Sequence, residues 1–298
     1  MSYFAEISRD NPTAFIFLID QSYSMSDDSD AKDKNGQFIS RADAVADIIN
    51  AILEELINVA QKDEGIRDYF EISLIGYGGD STFLWEGHLK NRSFAKISEI
   101  RDIAQTETVI EETVIRGRII EEEYIRLTWL TPKAMNGTPM KGAFIVAEEE
   151  IKNWVSNHPK SYPPIVINIT DGEANDISSP NELIEASKRI QNIATEDGNT
   201  IVMNIHISNQ LNSVVFPNNL SQLSSDENSQ MLFHMSSLLP DKLKSLAKEI
   251  FKISDTNNIV GMAVNASMVQ LIKILDIGTR PAQDAGSSFV SLNKDPLF

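Results

Sequence analysis

Apolar residues along this chain fall into short unbroken blocks, separated by longer stretches in which they recur at helical spacing. Residues 14–19, Ala-Phe-Ile-Phe-Leu-Ile, are apolar throughout, too short for a helix and rich in β-formers. Such a block belongs to a strand covered on both faces, the mark of a parallel sheet. Similar blocks at 71–77, 164–170, 200–208 and 259–264 predict four more strands. Between them, Val45, Ile48, Ile49, Ile52, Leu53, Leu56 and Val59 line one face of a helix. Ser40, with Asp43 three residues on, has the form of a capping box at its start. A second helix is predicted over 139–155, with Pro139 in its first turn and Phe144, Ile145, Ala147, Ile151 and Val155 facing inward. Further helices are expected over 181–195, 240–253 and 267–275.

Strands alternating with helices predict an α/β fold: a Rossmann-like, doubly wound, mostly parallel sheet flanked by helices, over residues 13–278. Residues 80–133 break the rhythm. Within them, 108–116 and the acidic run Glu121-Glu122-Glu123 fit a β-hairpin or a charged helix. Periodicity does not separate the two; strands, in a β-rich or mixed insertion, are the expectation adopted. Residues 279–298 are polar and rich in Ser, Gly and Pro, the composition of a flexible tail.

Charge and composition narrow the function. The 298 residues carry 26 basic and 43 acidic side chains, a formal charge of −17. That balance repels phosphate backbones, so neither nucleic acid nor an anionic membrane is an expected partner. The absence of cysteine excludes disulfides, thiolate zinc sites, iron–sulfur clusters and thiol nucleophiles. The N-terminus lacks the basic start and apolar run of a signal peptide, and no stretch of about 18 apolar residues spans a bilayer. A cytoplasmic location is therefore expected. No Gly-x-x-x-x-Gly-Lys-Ser/Thr or Gly-x-Gly-x-x-Gly pattern is present to cradle a nucleotide. The four histidines are scattered, and His206, inside an apolar strand, reads as a core residue. Trp85, Trp129 and Trp154 read likewise.

In a doubly wound sheet, ligands bind beyond the carboxyl ends of the strands. The first strand opens into Asp20-Gln-Ser22-Tyr-Ser24, a later one into Asp171-Gly-Glu173, and Asn136-Gly-Thr138-Pro139 starts the helix between them. Taken singly, each of these residues would serve as a helix cap. Together they are an all-oxygen set suited to a hard cation such as Mg²⁺. The neighbouring acidic stretch holds Asp27, Asp28, Asp30 and Asp33. It fails as an EF-hand, because the register centred on Gly36 puts Ala31 and Ala42 at the two essential acidic positions.

This arrangement resembles the von Willebrand factor type A (vWA) domain and its metal-ion-dependent adhesion site. That family carries Asp-x-Ser-x-Ser after the first strand, a threonine on a middle loop and an aspartate after a later strand. Asp20, Ser22, Ser24, Thr138 and Asp171 match all five positions in order, within a resemblance running from about residue 13 to 277. The resemblance implies that these five hold Mg²⁺ (Mn²⁺ or Ca²⁺ as alternatives) and that a Glu or Asp of a partner protein completes the ion's shell. It implies a binding module without catalytic residues, of the kind found beside ATPases and stress or signalling systems. The long insertion and the lack of cysteine depart from the matrix-adhesion members. An alternative is a Mg²⁺-dependent phosphohydrolase with Asp20 as nucleophile. That chemistry asks for a second aspartate where Ser22 stands, and for a phosphate-binding cation, for which Lys141 is nearest in sequence.

Overall fold

Successive residues of the first strand pack into opposite layers. In β1 (Thr13–Asp20) every residue is buried. Phe15, Phe17 and Ile19 join one hydrophobic layer, and Ala14, Ile16 and Leu18 join the other. This two-sided burial is what an unbroken apolar block requires. The computed structural model describes residues 3–32, 36–115, 118–207, 213–223, 225–266, 270 and 273–274.

After β1, β2 (Asp28–Lys32) and β3 (Phe38–Ser40) form a small antiparallel hairpin leading into α1 (Arg41–Ala60). The expected capping box is present: Ser40 Oγ accepts from the Asp43 amide, and the Asp43 carboxylate accepts from the Ser40 amide. A tight ribbon, β4 (Gln61–Lys62) and β5 (Gly65–Ile66), precedes β6 (Phe70–Tyr77). Next come β7 (Ser81–Phe83), β8 (Ala95–Lys96), α2 (Ile97–Asp102) and the long arms β9 (Gln105–Ile115) and β10 (Arg118–Thr128). The chain then alternates α3 (Met140–Asn157), β11 (Ile165–Thr170), α4 (Pro180–Gln191) and β12 (Ile201–His206). Last are β13 (Val214–Val215), α5 (Glu227–Met235), α6 (Asp241–Phe251) and β14 (Met262–Val264).

The central sheet has eight strands in the order β13-β14-β12-β11-β1-β6-β7, with β8 also on β6. Its core is parallel, through β1–β6, β1–β11, β11–β12 and β12–β14, and antiparallel strands lie only toward its margins. α1, α2 and α6 cover one face, while α3, α4 and α5 cover the other. The fold is thus the doubly wound α/β sheet that the alternation predicts. Counted in chain order, the parallel strands run 2-1-3-4-5 across it, so the winding reverses between β1 and β11. A reversal of this kind opens the crevice in which such sheets hold ligands.

Several local expectations shift. On α3, Ile145 is 47% exposed and Val155 only half-buried; the inner stripe is Met140, Ala143, Phe144, Ala147, Ile151 and Trp154. Ile145 sits about 100° round the helix from Phe144, off that stripe. α4 stops at Gln191, short of the expected 195, and the last strand is three residues long. α5 has no apolar periodicity to announce it; Asp226 caps it by accepting from the Ser229 amide. In its described residues the insertion resolves as four strands, β7 to β10, with the short helix α2 among them. β9 and β10 pair antiparallel from Gln105↔Thr128 to Ile115↔Arg118 and, among the described residues, join no other sheet. Trp85, Trp129 and Trp154 are all buried. Most of the helix expected over 267–275, and the whole tail from 279, lie outside the described residues.

Candidate metal centre

Asp20 closes β1 and is paired laterally with Tyr77, the last residue of β6. Its side chain is almost wholly buried, at 1% exposure. Oδ1 accepts from the Ser22 amide at 2.8 Å, and Oδ2 from the Thr170 hydroxyl at 2.8 Å. Burial pushes its pKa up to about 6, partly offset by the Ser22 and Thr170 hydrogen bonds and reinforced by the nearby negative charge of Asp171. Each carboxylate oxygen has two lone pairs, so these bonds leave acceptor capacity for a cation.

Three loops are tied together around it. The turn after β1 places Ser22 Oγ and Ser24 Oγ 3.0 Å apart. Met135 forms a bridge with Ser22, and its amide donates to the Gln21 carbonyl, which brings the loop before α3 against that turn. Thr138, 7% exposed, lies three residues on, and its carbonyl accepts from the amide of Asn175 in the loop after β11. Asp176 of that same loop caps α3 in trans: its two carboxylate oxygens accept from the amides of Lys141 and Gly142 at 3.1 and 2.8 Å. Pro139, the N-cap residue, has no side-chain donor or acceptor to do this itself. On the far side Gly78 lets the chain leaving β6 press against the first loop. A Cβ there would meet the Gln21 carbonyl oxygen at 2.3 Å.

Asp171 starts the third loop, at the end of β11. Its carboxylate, 6% exposed, takes an ion pair from Arg41, whose Nη1 lies 3.3 Å from Oδ2. Its main-chain carbonyl accepts from His206 Nε2 at 3.0 Å. His206 Nδ1 in turn faces the Ser229 hydroxyl at 2.9 Å. A carbonyl only accepts, so Nε2 carries a proton; burial lowers the pKa of the ring, favouring the neutral form in which Nδ1 accepts from Ser229. Next in sequence, Gly172 has φ +107°, and a Cβ would stand 2.7 Å from His206 Nε2; glycine alone fits the turn.

Asp20, Ser22, Ser24, Thr138 and Asp171 therefore lie on one sheet edge, at the reversal between β1 and β11. Oxygens that are adjacent in an octahedron of about 2.1 Å radius stand about 3 Å apart. The 3.0 Å between Ser22 Oγ and Ser24 Oγ matches that edge. Among the described residues no three acidic or imidazole side chains cluster, so a cation shell here needs oxygen ligands besides carboxylates, and the hydroxyls are placed to be among them. The donor set thus fits Mg²⁺. Asp28 is exposed on the β2–β3 hairpin, Asp33 lies outside the described residues, and Glu173 is exposed. Lys141 is turned to Glu182, at 2.5 Å. The cation at the site is Arg41, which the sequence presents only as the first residue of a helix. His206 and Asp176, which hold two of the loops, likewise carry no motif.

The sequence matches no family model and no curated protein. Similar solved structures include a von Willebrand factor type A protein from Catenulispora acidiphila, 11% identical, covering 93% of this chain and 44% of that one at TM-score 0.43. Another is VWA2, the ArnB paralog of Sulfolobus acidocaldarius, at 13% identity, 66% and 35% coverage and TM-score 0.35. A third is the vWF domain of the type V pili tip protein Mfa5 from Porphyromonas gingivalis, at 12%, 94% and 98%, and TM-score 0.42. The chain spans less than half the length of the first two.

Proposed function

We propose that this chain is a Mg²⁺-dependent protein-binding module. Asp20, Ser22, Ser24, Thr138 and Asp171 would hold the ion, and a glutamate or aspartate of a partner protein would complete its shell. The observation that carries the reading is the convergence of two buried carboxylates and two hydroxyls 3.0 Å apart on the edge where the sheet reverses its winding. Bound there, the ion supplies an exchangeable, electrophilic coordination position for an anionic oxygen. The chain's own residues do the rest. Thr170 and the Ser22 amide orient Asp20, His206 fixes the backbone at Asp171, and Asp176 ties the third loop to the start of α3.

Tyr23, between the two serines, is 69% exposed, and Met135, bridged to Ser22, is 42% exposed. They give the site an apolar rim, suited to an acidic residue flanked by an apolar one. The β9–β10 ribbon, with exposed Glu107, Glu123, Ile110 and Ile125, adds a second surface for choosing the partner. Nucleophilic use of Asp20 is poorly served: the carboxylate is buried, both its oxygens are hydrogen-bonded, and its pKa is raised.

The test is thermal unfolding with and without Mg²⁺. At about 100-fold excess over Kd a bound ion adds ~2.7 kcal/mol. Asp20→Ala and Asp171→Ala should abolish this response, and Asp28→Ala should keep it. An undiminished response in both strand-end variants would remove the assignment, and turnover of an aryl phosphate would favour the phosphohydrolase.

A further inference from the structure

The residue that this reading leaves unexplained is Arg41. A guanidinium with a side-chain exposure of 6% reaches the centre of the candidate metal edge, with Nη1 3.3 Å from Asp171 Oδ2. The same nitrogen lies 3.5 Å from the Ser24 carbonyl oxygen and 4.0 Å from the carboxylate of Asp27, which is 62% exposed. Arg41 therefore touches the first loop, the acidic stretch and the third loop at once. It is held there from behind, being the first residue of α1 and lying within the Ser40–Asp43 capping box.

We propose that Arg41 is an internal competitor for the metal position: its guanidinium neutralises Asp171 when no ion is bound, and a divalent cation binds by displacing it from that carboxylate. The proposal rests on the Mg²⁺ reading above and adds to it a residue and a regulation. Two buried carboxylates on one sheet edge are costly unless a positive charge compensates them. Arg41 supplies one compensating charge from within the chain. The site is thereby assembled before any ion arrives, and a doubly charged ion then enters against a fixed positive neighbour. Preassembly favours binding, whereas breaking the Arg41–Asp171 pair and entering beside a positive charge oppose it and leave the centre responsive to concentration. Once the ion is in, two aspartates, one arginine and Mg²⁺ sum to a net positive charge, which favours an anionic partner group.

The contrary reading makes Arg41 a brace that holds Asp171 in position for the ion. The two differ in the sign of one measurement. Mg²⁺ alone is titrated calorimetrically into wild-type protein, Arg41→Gln and Arg41→Lys, beside metal-free melts of each. Competition predicts that Arg41→Gln binds Mg²⁺ about tenfold more tightly, a modest coupling between linked ligands, while its metal-free Tm falls. Binding that appears only in the variant supports the proposal most directly. Weaker or unchanged Mg²⁺ binding by Arg41→Gln, with wild type responding, overturns the competition and leaves the metal site standing. No response in either protein overturns both. Should Arg41→Gln fail to fold, the wild-type guanidinium reports instead. The Arg41 Nε–H resonance, identified by its loss in Arg41→Lys, should move along the Mg²⁺ titration, and a fixed resonance on saturation overturns displacement.

Discussion

His206 and Asp171 belong to adjacent strand ends, and Nε2 of the buried imidazole donates to the Asp171 carbonyl at 3.0 Å. A histidine that would otherwise read as filling thus fixes the backbone of a candidate ligand. His206→Phe keeps a flat aromatic ring, somewhat larger than imidazole, but strands the Asp171 carbonyl and the Ser229 hydroxyl. Each unmet buried group costs about 1–3 kcal/mol, so the urea midpoint should fall. Mg²⁺ affinity should fall several-fold with it. Lost stability with unchanged Mg²⁺ affinity would reduce His206 to packing.

Asp20 gives the metal-free protein a distinctive pH dependence. Its folded pKa of about 6 lies above the ordinary carboxylate value of 3.8. The folded state therefore holds its proton more tightly than the unfolded chain does. The associated stability is complete below about pH 4 and is lost as pH rises through about 6, by about 3 kcal/mol for a shift of this size. His206, with a lowered pKa, acts in the opposite sense: its stability is complete above the unfolded value and is lost as pH falls below it through the lowered folded one. Comparing wild type with Asp20→Asn isolates the aspartate. The variant should gain on wild type from pH 4 to pH 7 without metal, and Mg²⁺ should stabilise wild type more at pH 7 than at pH 5. A pH-independent difference between the two proteins would contradict the assignment.

Gly78 is set by close approach. Its missing Cβ would lie 2.3 Å from the Gln21 carbonyl oxygen, a backbone atom of the first loop. Gly78→Ala has to push that loop or the end of β6 aside, at a cost of about 1–3 kcal/mol. The displaced loop carries Ser22 and Ser24, so the Mg²⁺-induced rise in Tm should shrink as well. Thermal melts with and without the ion read both effects.

The β9–β10 ribbon should be separable from the domain. Val109, Tyr124 and Leu127 are half-buried, but Ile110 and Ile125 are 59% and 62% exposed, and the flanking residues are mostly open. Its base is another matter: Asn50 binds both amides of Trp129 and Leu130, and Trp129 Nε1 donates to the Ile100 carbonyl. Thr106 faces Leu127 in the register. Replacing 107–126 by Asn-Gly, a turn suited to a two-residue hairpin, should shorten the arm and spare its anchor. Stability should change by less than about 1 kcal/mol, within the range of surface changes of small effect. The Mg²⁺ response should persist while partner capture drops. A collapse of Tm on excision would show that the ribbon supports the core.

What the sequence makes legible here is whatever depends on near neighbours. The block at 14–19 is apolar on both faces, so it can only be a buried strand, and Asp20 must then emerge at its end. Ser40 and Asp43 interact over three residues, and the structure contains their capping box. The β-formers through 108–115, whose periodicity leaves hairpin and helix open, emerge as an arm of a hairpin. Contacts made over long chain separations leave no such trace. Arg41 reads as an ordinary first-turn residue because its partner lies 130 positions away. α5 depends on a cap at Asp226 and on Met231, Leu232 and Met235 meeting the sheet, in a segment with little helical periodicity. Ile145 faces outward although the apolar pattern points it inward, because an apolar residue carries no sign of which neighbour it will meet.

Eleven-residue arms extend the β9–β10 ribbon by roughly 35 Å at the usual rise per strand residue. Its root is Leu130, which shares a shallow cleft with Asp20 and Gln21. One end of the ribbon is thus fixed beside the candidate metal edge, and the other can reach a distant part of the same partner. A ligand engaged at both places makes its second contact as an intramolecular event, at effective concentrations in the millimolar range. Two contacts too weak to persist alone could then hold together some 10²–10⁴ times more tightly than either. Withdrawing one small ion would break only one of them, yet release the whole assembly.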